Sequence, residues 1–405
     1  MTTQSIAAAS PRLASLDAFR GCVIAAMIWV NYIAGMPGIP YWLEHTGPRA
    51  DGITLPDIVF PGFLFIVGIA IPLALHRSVG RVTPALLGRL AWRAASLMVA
   101  GVVLANAYRY DAANALLPRA LYFLLFYGAM MLLWRQREQQ GPNRRRDWSY
   151  PAGLALMLFL LAAFRGSTDA EFDSVYLQPG WWGILGMIGW SYLLCSLIYL
   201  ATKGDGTALM AALGALVALY LGGMAGAMDW LHAPLRAVVN VPQLLGSTGA
   251  NVLAGTIVGW LFLRDAAADH GSRIRFMAWF ALGLFVCGLL LRPYHGINKI
   301  QATASYTLVC AAIVLALFLC CYVMVDVWGW RRWTVAVLPA GTNALFAYIA
   351  PDLWEQCAAV LHLPRLWWPF LESGGAPGLL NAAVMTAAML GLTALASRIG
   401  LRLKF

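Results

Sequence analysis

Charge is scarce in this 405-residue chain: 11% of its residues are Asp, Glu, Lys or Arg, against 61% hydrophobic. Soluble proteins carry about 25% charged residues. The shortage excludes disorder, an ordinary cytosolic enzyme and a nucleic-acid-binding module. Cysteine is also sparse, with seven residues, no CxxC pair and no regular spacing, so neither a zinc site nor a disulfide framework is expected. GxSxG, HExxH, GxxxxGK[ST] and a GxGxxG following a strand are all missing, which removes the common soluble hydrolase, metalloprotease and nucleotide-binding signatures. The first apolar run begins only after Leu16 and has no small-residue cleavage site at its end, so a cleavable leader is not expected.

What the chain has instead is long hydrophobic runs. A membrane-spanning helix needs about 20 largely apolar residues. Such runs fall near 16–36, 56–75, 91–106, 119–134, 150–165, 181–200, 207–227, 248–264, 275–292, 302–325, 334–351 and 378–398. The expectation is an all-α, polytopic membrane protein of about 10–12 transmembrane helices, one integral-membrane domain over 1–405 in contact with the lipid bilayer. With the N-terminus cytoplasmic, twenty of the 28 Lys and Arg fall on that side. The opposite loops collect Glu44, Asp51, Asp111, Asp169, Glu171, Asp173, Glu355 and Glu372. This bias predicts both termini in the cytoplasm. The Arg144-Arg145-Arg146 cluster then reads as a topology anchor against anionic lipid. GGMAG at 222–226 offers a close-packing face, for a homodimer or for a neighbouring span. No repeat relates the two halves.

Ionisable and amide side chains inside a bilayer need a partner or a task. Three neighbourhoods hold them. In residues 12–72, Asp17 and Arg20 sit three apart near the inner end of span 1, and Asn31 lies near its outer end. Glu44 and His45 follow in a Gly- and Pro-rich loop expected to fold back as a fixed structure, and Asp57 opens span 2 after Pro56. From spacing alone, Asp57 reads equally as a helix N-terminal acid and His45 as a loop histidine without a task. Residues 292–306 (RPYHGINKIQATASY) read as a solvated turn or the lining of a polar cavity. In the last neighbourhood, Asn343 falls inside span 11, as interhelical glue or a site residue, with Asp352 and Glu355 at the outer end and Cys357 in a loop. His232, Arg236 and Gln243 form a weaker polar group before span 8.

The motifs RLASLDAFRG, VNY (30–32), YWLEH (41–45) and GITLPDIVFPGFLFIVG (52–68) resemble the heparan-alpha-glucosaminide N-acetyltransferase family, including its bacterial NagX-type relatives. PQLLGSTGANVLAGTIVG (242–259), INKIQATASYTL (297–308), the Asp326 position and GTNALFAY (341–348) extend the resemblance in order over nearly the whole chain. It implies a transmembrane acyltransferase in a bacterial inner membrane, taking the acetyl group of cytosolic acetyl-CoA to the amine of an amino-sugar acceptor, without a metal. It also implies that His45 is catalytic, with Asn31 and Asp57 beside it and Asn298, Lys299 and Thr303 in the NK…T segment. Two departures fall on the acceptor side: a longer stretch between Asn31 and His45, and HTGPRADG after His45 in place of a pattern with an aromatic residue. A counterpart of the luminal N-terminal domain of the lysosomal members is not expected.

Acetyl-CoA is too charged to enter hydrocarbon, so its phosphates are expected at the basic inner face, with Arg20, Arg77, Arg89 and Arg93 as candidate contacts. The pantetheine arm then threads between helices to His45. There the imidazole serves as general base toward the acceptor amine, or as an acetyl carrier. Asn31, Asn343 or Lys299 is the expected oxyanion donor. An amino-sugar secondary transporter and an O-acetyltransferase acting on a cell-wall sugar are the competing readings.

Overall fold

The computed structural model describes residues 13–136, 148–168, 173–232, 236, 238–264, 269–363 and 374–404. The arginine triplet at 144–146, Arg12, Arg137, Asp169, Glu171 and Glu372 lie outside them. The described residues form twelve helices of at least fifteen residues: α1 (Ala14–Ile33), α2 (Leu55–Leu75), α3 (Pro84–Ala105), α4 (Arg119–Trp134), α5 (Ser149–Ala163), α6 (Gly183–Ala201), α7 (Gly206–Met224), α8 (Thr248–Arg264), α9 (His270–His295), α10 (Ala304–Tyr322), α11 (Ala344–Val360) and α12 (Gly375–Arg398). Nine helical segments among the described residues are long and apolar enough to cross a membrane. The fold is an all-α, polytopic membrane protein.

The loops sort to two ends. At one, the loop after α1 is bonded to the start of α12 (Gly375 N–H to Pro37 O, 3.0 Å) and to the loop after α9 (Gly52 N–H to Ile297 O, 2.9 Å). Arg109, after α3, accepts from the Ser167 N–H after α5 at 2.7 Å. At the other end, Ser15 donates to Asp326 at 3.3 Å, and Lys404 donates to Trp134 O at 2.8 Å. Every helix therefore traverses the bundle, and the two described chain ends share a face, here called the tail end.

Helix α8 is the axis. The segment Pro242–Arg264 is 89% buried in its most apolar window, whereas the window of α9 is 17% buried and turns its apolar residues outward. Glycines set the α2–α8 contact. A methyl group on Gly68 would overlap the carbonyl oxygen of Val252, one on Gly255 that of Phe65, and one on Gly259 that of Ile69. Small residues let helix backbones meet in the absence of a hydrophobic driving force in lipid. Gly255→Ala is therefore expected to force the pair apart, destabilising by about 1–3 kcal/mol or more. Loss of the monodisperse, thermally cooperative species in detergent would register it, and an unchanged melting profile would refute backbone contact at this seam.

The span boundaries hold to within a few residues except in α3, which begins at Pro84 rather than near 91, and in α11. Its helix runs to Val360, so Asp352, Glu355 and Cys357 belong to the helix rather than to a loop. Acidic residues read as a span's end from sequence here line a cavity of 280 Å³ with Arg119 and Tyr127. The Tyr127 hydroxyl donates to Asp352 at 3.3 Å. Asn343 moves accordingly to the tail end, where the chain breaks between a short turn (Leu338–Thr342) and α11.

Candidate active site

Asp57 is set by the way α2 begins. Thr54 and Asp57 form a capping box around Pro56 at the first turn, a pattern that satisfies backbone donors no helix partner can reach. The Asp57 side chain is 0% exposed. Its Oδ2 accepts from the Thr46 hydroxyl at 2.8 Å and from the backbone N–H groups of Thr46 and Thr54 at 3.3 Å each. The Thr54 hydroxyl is held by Glu44 O at 2.6 Å, tying the histidine loop to the helix start. Behind it, the Tyr306 hydroxyl donates to the Asp57 carbonyl at 2.6 Å.

The other carboxylate oxygen faces a base and a cation. Asp57 Oδ1 lies 3.0 Å from His45 Nδ1 and accepts from Lys299 Nζ at 3.0 Å. Lys299 Nζ is also 2.8 Å from the same histidine nitrogen. One ring nitrogen cannot donate to a carboxylate and accept from an ammonium together. The two contacts therefore describe two tautomers. With the proton on Nδ1, the ring is oriented by Asp57 and Nε2 is a bare acceptor. With the proton on Nε2, Nδ1 accepts from Lys299 and no base is presented.

His45 is 43% exposed and Lys299 26% exposed. Both line the mouth of a cavity of 550 Å³, together with Asn31 from the last turns of α1. Its wall is mostly apolar, carrying Phe60, Phe63, Leu64 and Met187, and it reaches Asn251 in the buried part of α8.

The loop bearing Lys299 is fastened to the loop bearing His45. Asn298 donates from Nδ2 to Pro48 O at 2.8 Å and Ala50 O at 3.1 Å, and accepts from Gln301 N–H at 2.9 Å. Thr303 caps α10, accepting from Tyr306 N–H and Asn298 N–H and donating to Gly296 O. The side-chain polar atoms of Asn298 and Thr303 are thus committed to the backbone of these loops.

Asp51 completes the fastening, accepting from Ile297 N–H at 2.7 Å and from Arg292 Nε at 3.1 Å. The Ile297 N–H, followed by the Arg292 guanidinium, holds the Asp51 carboxyl below the usual carboxylate range. A carboxylate depressed on folding adds stability above its unfolded pKa and loses it as pH falls through the folded one. The fastening is therefore intact at neutral pH and is released only as pH falls through the lowered Asp51 pKa. Asp51→Ala is expected to raise amide exchange at Ile297 about fivefold, since a lost hydrogen bond is worth roughly 1 kcal/mol. The Tm should barely move, as for exposed ion pairs. Unchanged exchange would show that Asp51 holds nothing.

The remaining expected residues lie elsewhere. Asn343 donates to Leu401 O at 2.9 Å and accepts from Leu403 N–H at 2.9 Å, holding the tail segment. It is at the opposite end from His45, so its oxyanion role is withdrawn. Arg20 donates to Gly341 O at 2.9 Å and pairs with Asp17 at 3.2 Å. Arg93 lies over the Tyr192 ring at 4.7 Å. Arg77 and Arg89 are exposed. All four belong to tail-end elements, and none is among the residues lining the cavity at His45. Arg236 is spent on Asp229 at 2.7 Å, whereas Gln243 does line that cavity. Thr46, Thr54, Tyr306 and Asn251 were not anticipated. For Thr54 the signal was present, as the T-x-x-D spacing of a capping box.

Comparison with known proteins agrees with the motif resemblance. Human heparan-alpha-glucosaminide N-acetyltransferase is 27% identical over 396 residues, covering 87% of this chain and 55% of the human protein. The mouse protein of the same name is 26% identical over 415 residues, covering 93% of this chain and 58% of its own. The chain thus spans little more than half the length of these relatives. A family model, described as a domain of unknown function (DUF5009), matches residues 12–230. Since that match takes in more than half of the sequence, the chain belongs to the DUF5009 family.

Proposed function

We propose that the protein is a membrane acetyltransferase that moves the acetyl group of acetyl-CoA to the amine of a glucosamine-type sugar. The observation that carries the reading is the His45–Asp57–Lys299 cluster at the mouth of a narrow, mostly apolar cavity directed into the bundle. The names of the human and mouse relatives support the reaction class. In this reading the site end faces the periplasm of a bacterial inner membrane and the arginine-rich tail end faces the cytoplasm, as the loop bias favours.

The chemistry follows from the tautomer oriented by Asp57. The acceptor amine must shed its extra proton and attack the thioester carbonyl carbon. Nε2 of His45 takes a proton from the nitrogen as the C–N bond forms, and the carbonyl oxygen becomes an oxyanion. Lys299 and Asn31, both at the cavity mouth, are the donors placed to meet that charge. When the oxyanion collapses the C–S bond breaks, and the protonated imidazole returns its proton to the departing CoA thiolate. Atoms and charge balance without a covalent enzyme intermediate.

The reading carries a structural requirement. Below the cavity, α2 and α8 touch backbone to backbone at Gly68, Gly255 and Gly259. A donor whose phosphates rest near Arg77 and Arg89 needs a state in which the cavity floor opens toward the tail end.

The test is purified protein with acetyl-labelled acetyl-CoA and glucosamine against other acceptors. Labelled N-acetylglucosamine is the expected product. An O-acetyl ester would shift the reading to a hydroxyl acceptor, and no transfer with uptake of the free sugar into vesicles would replace it by a transporter.

A further inference from the structure

Among the polar residues lining the cavity that the mechanism does not use, Asn251 stands out. Asn251 is 2% exposed and lies among the residues lining the cavity, and its Oδ1 has no hydrogen-bond partner among the described residues. Leaving such an acceptor unpaired costs about 1–3 kcal/mol, and a well-packed helix in lipid has every reason to replace it with Leu or Ala. A nearly buried amide in the lining of a cavity, with one of its polar atoms unpaired, suits a ligand that carries an amide of its own.

Its depth narrows the choice. The seam pairs Phe65 with Gly255 and Ile69 with Gly259, which places Asn251 level with Pro61. That is one helical turn, about 5.4 Å along the axis, below Asp57. In an acyl thioester of pantetheine, the nearest amide nitrogen stands about four bonds, or roughly 5 Å, from the acyl carbon. With the acyl carbon at His45, this amide falls at the level of Asn251. The surrounding wall is apolar, carrying Phe60, Phe63, Leu64 and Met187, and suits the methylene segments on either side.

We infer that Asn251 is a donor-specificity residue: its side-chain amide pairs with the first amide of the pantetheine arm and so favours thioesters that carry one. A primary amide offers one acceptor and donors in one plane, so it can meet a secondary amide's N–H and, with its own N–H, a neighbouring carbonyl. This rests on the acyl-CoA reading above. It adds to that reading a selection among thioesters.

The test compares wild type with Asn251→Leu, which keeps the branched shape and removes the unpaired acceptor, and with Asn251→Ala, which only removes atoms. Two donors are used: acetyl-CoA, and S-ethyl thioacetate, which has the thioester but no amide. In both variants KM for acetyl-CoA should rise about tenfold, equal to about 1.4 kcal/mol, with kcat within twofold. The rate with S-ethyl thioacetate should be unchanged, and the Tm of Asn251→Leu should be equal or higher. An unchanged KM for acetyl-CoA, or an equal loss with both donors, would overturn the inference while leaving the acetyltransferase reading in place. If wild type transfers nothing, that reading fails instead. The inference is then decided by CoA binding, followed by quenching of the tryptophans that line the cavity, Trp181 and Trp182. A tenfold weaker affinity in the variants sustains it, and equal affinity ends it.

Discussion

His45→Ala should lower kcat for acetyl transfer by about 10³-fold, inside the range of roughly 10²–10⁴ that a positioned general base contributes. Affinity for CoA and the Tm should stay close to wild type. The expectation follows from where the ring sits: it is partly exposed, and the buried Asp57 keeps its Thr46, Thr54 and Lys299 donors without it. Exogenous imidazole should restore part of the rate, because the pocket and its orienting carboxylate survive. Activity within a few-fold of wild type would remove His45 from the chemistry and leave the cluster as a structural clamp.

Asp57 should behave differently, since it is both clamp and orienter. Asp57→Ala removes the acceptor for the Lys299 ammonium, the Thr46 hydroxyl and two backbone N–H groups in one step. Stranding a largely buried cation and its companion donors is strongly destabilising, by about 3–5 kcal/mol for a broken buried pair. A clear fall in Tm is expected together with lost activity. Asp57→Asn preserves the shape, so it should retain more of the stability while still losing roughly 10²–10⁴-fold in kcat. Removing the lysine as well, in Asp57→Asn with Lys299→Met, should recover stability but not activity, because the two residues couple directly. Additive losses of stability in the double variant would show that the 3.0 Å pair carries no coupling.

Much of the architecture was legible because lipid imposes so simple a rule. A run of apolar residues long enough to cross is a helix, and the described helices fall on the expected runs. The rule failed in α11, where Asp352 and Glu355 look like the end of a span but face a polar cavity inside the bundle. That error carried Asn343 with it, placing a tail-end residue near the chemistry. The candidate site was legible in part. From spacing alone His45 was indistinguishable from an idle loop histidine, and only the family motif raised it. Its meeting with Lys299, 254 positions away, depends on contacts between two loops that no local pattern encodes. Asn251 was hidden for the opposite reason. It sits in a continuous apolar stretch, and what marks it out is the absence of a partner, which needs neighbours to be seen.

The fastening of the two loops to one another has a consequence for how a transmembrane reaction can cycle. His45 and Lys299 are gripped through Asn298, Asp51 and the start of α2, all at one end of the bundle, while the glycine seam lies deeper along α2 and α8. In the proposed function, the two loops would travel as one rigid cap on the first turn of α2, and the lower helices would part and rejoin beneath it without disturbing the His45–Asp57–Lys299 cluster. Such a division would let the protein admit a large anionic donor from one compartment and never offer an open pore to the other.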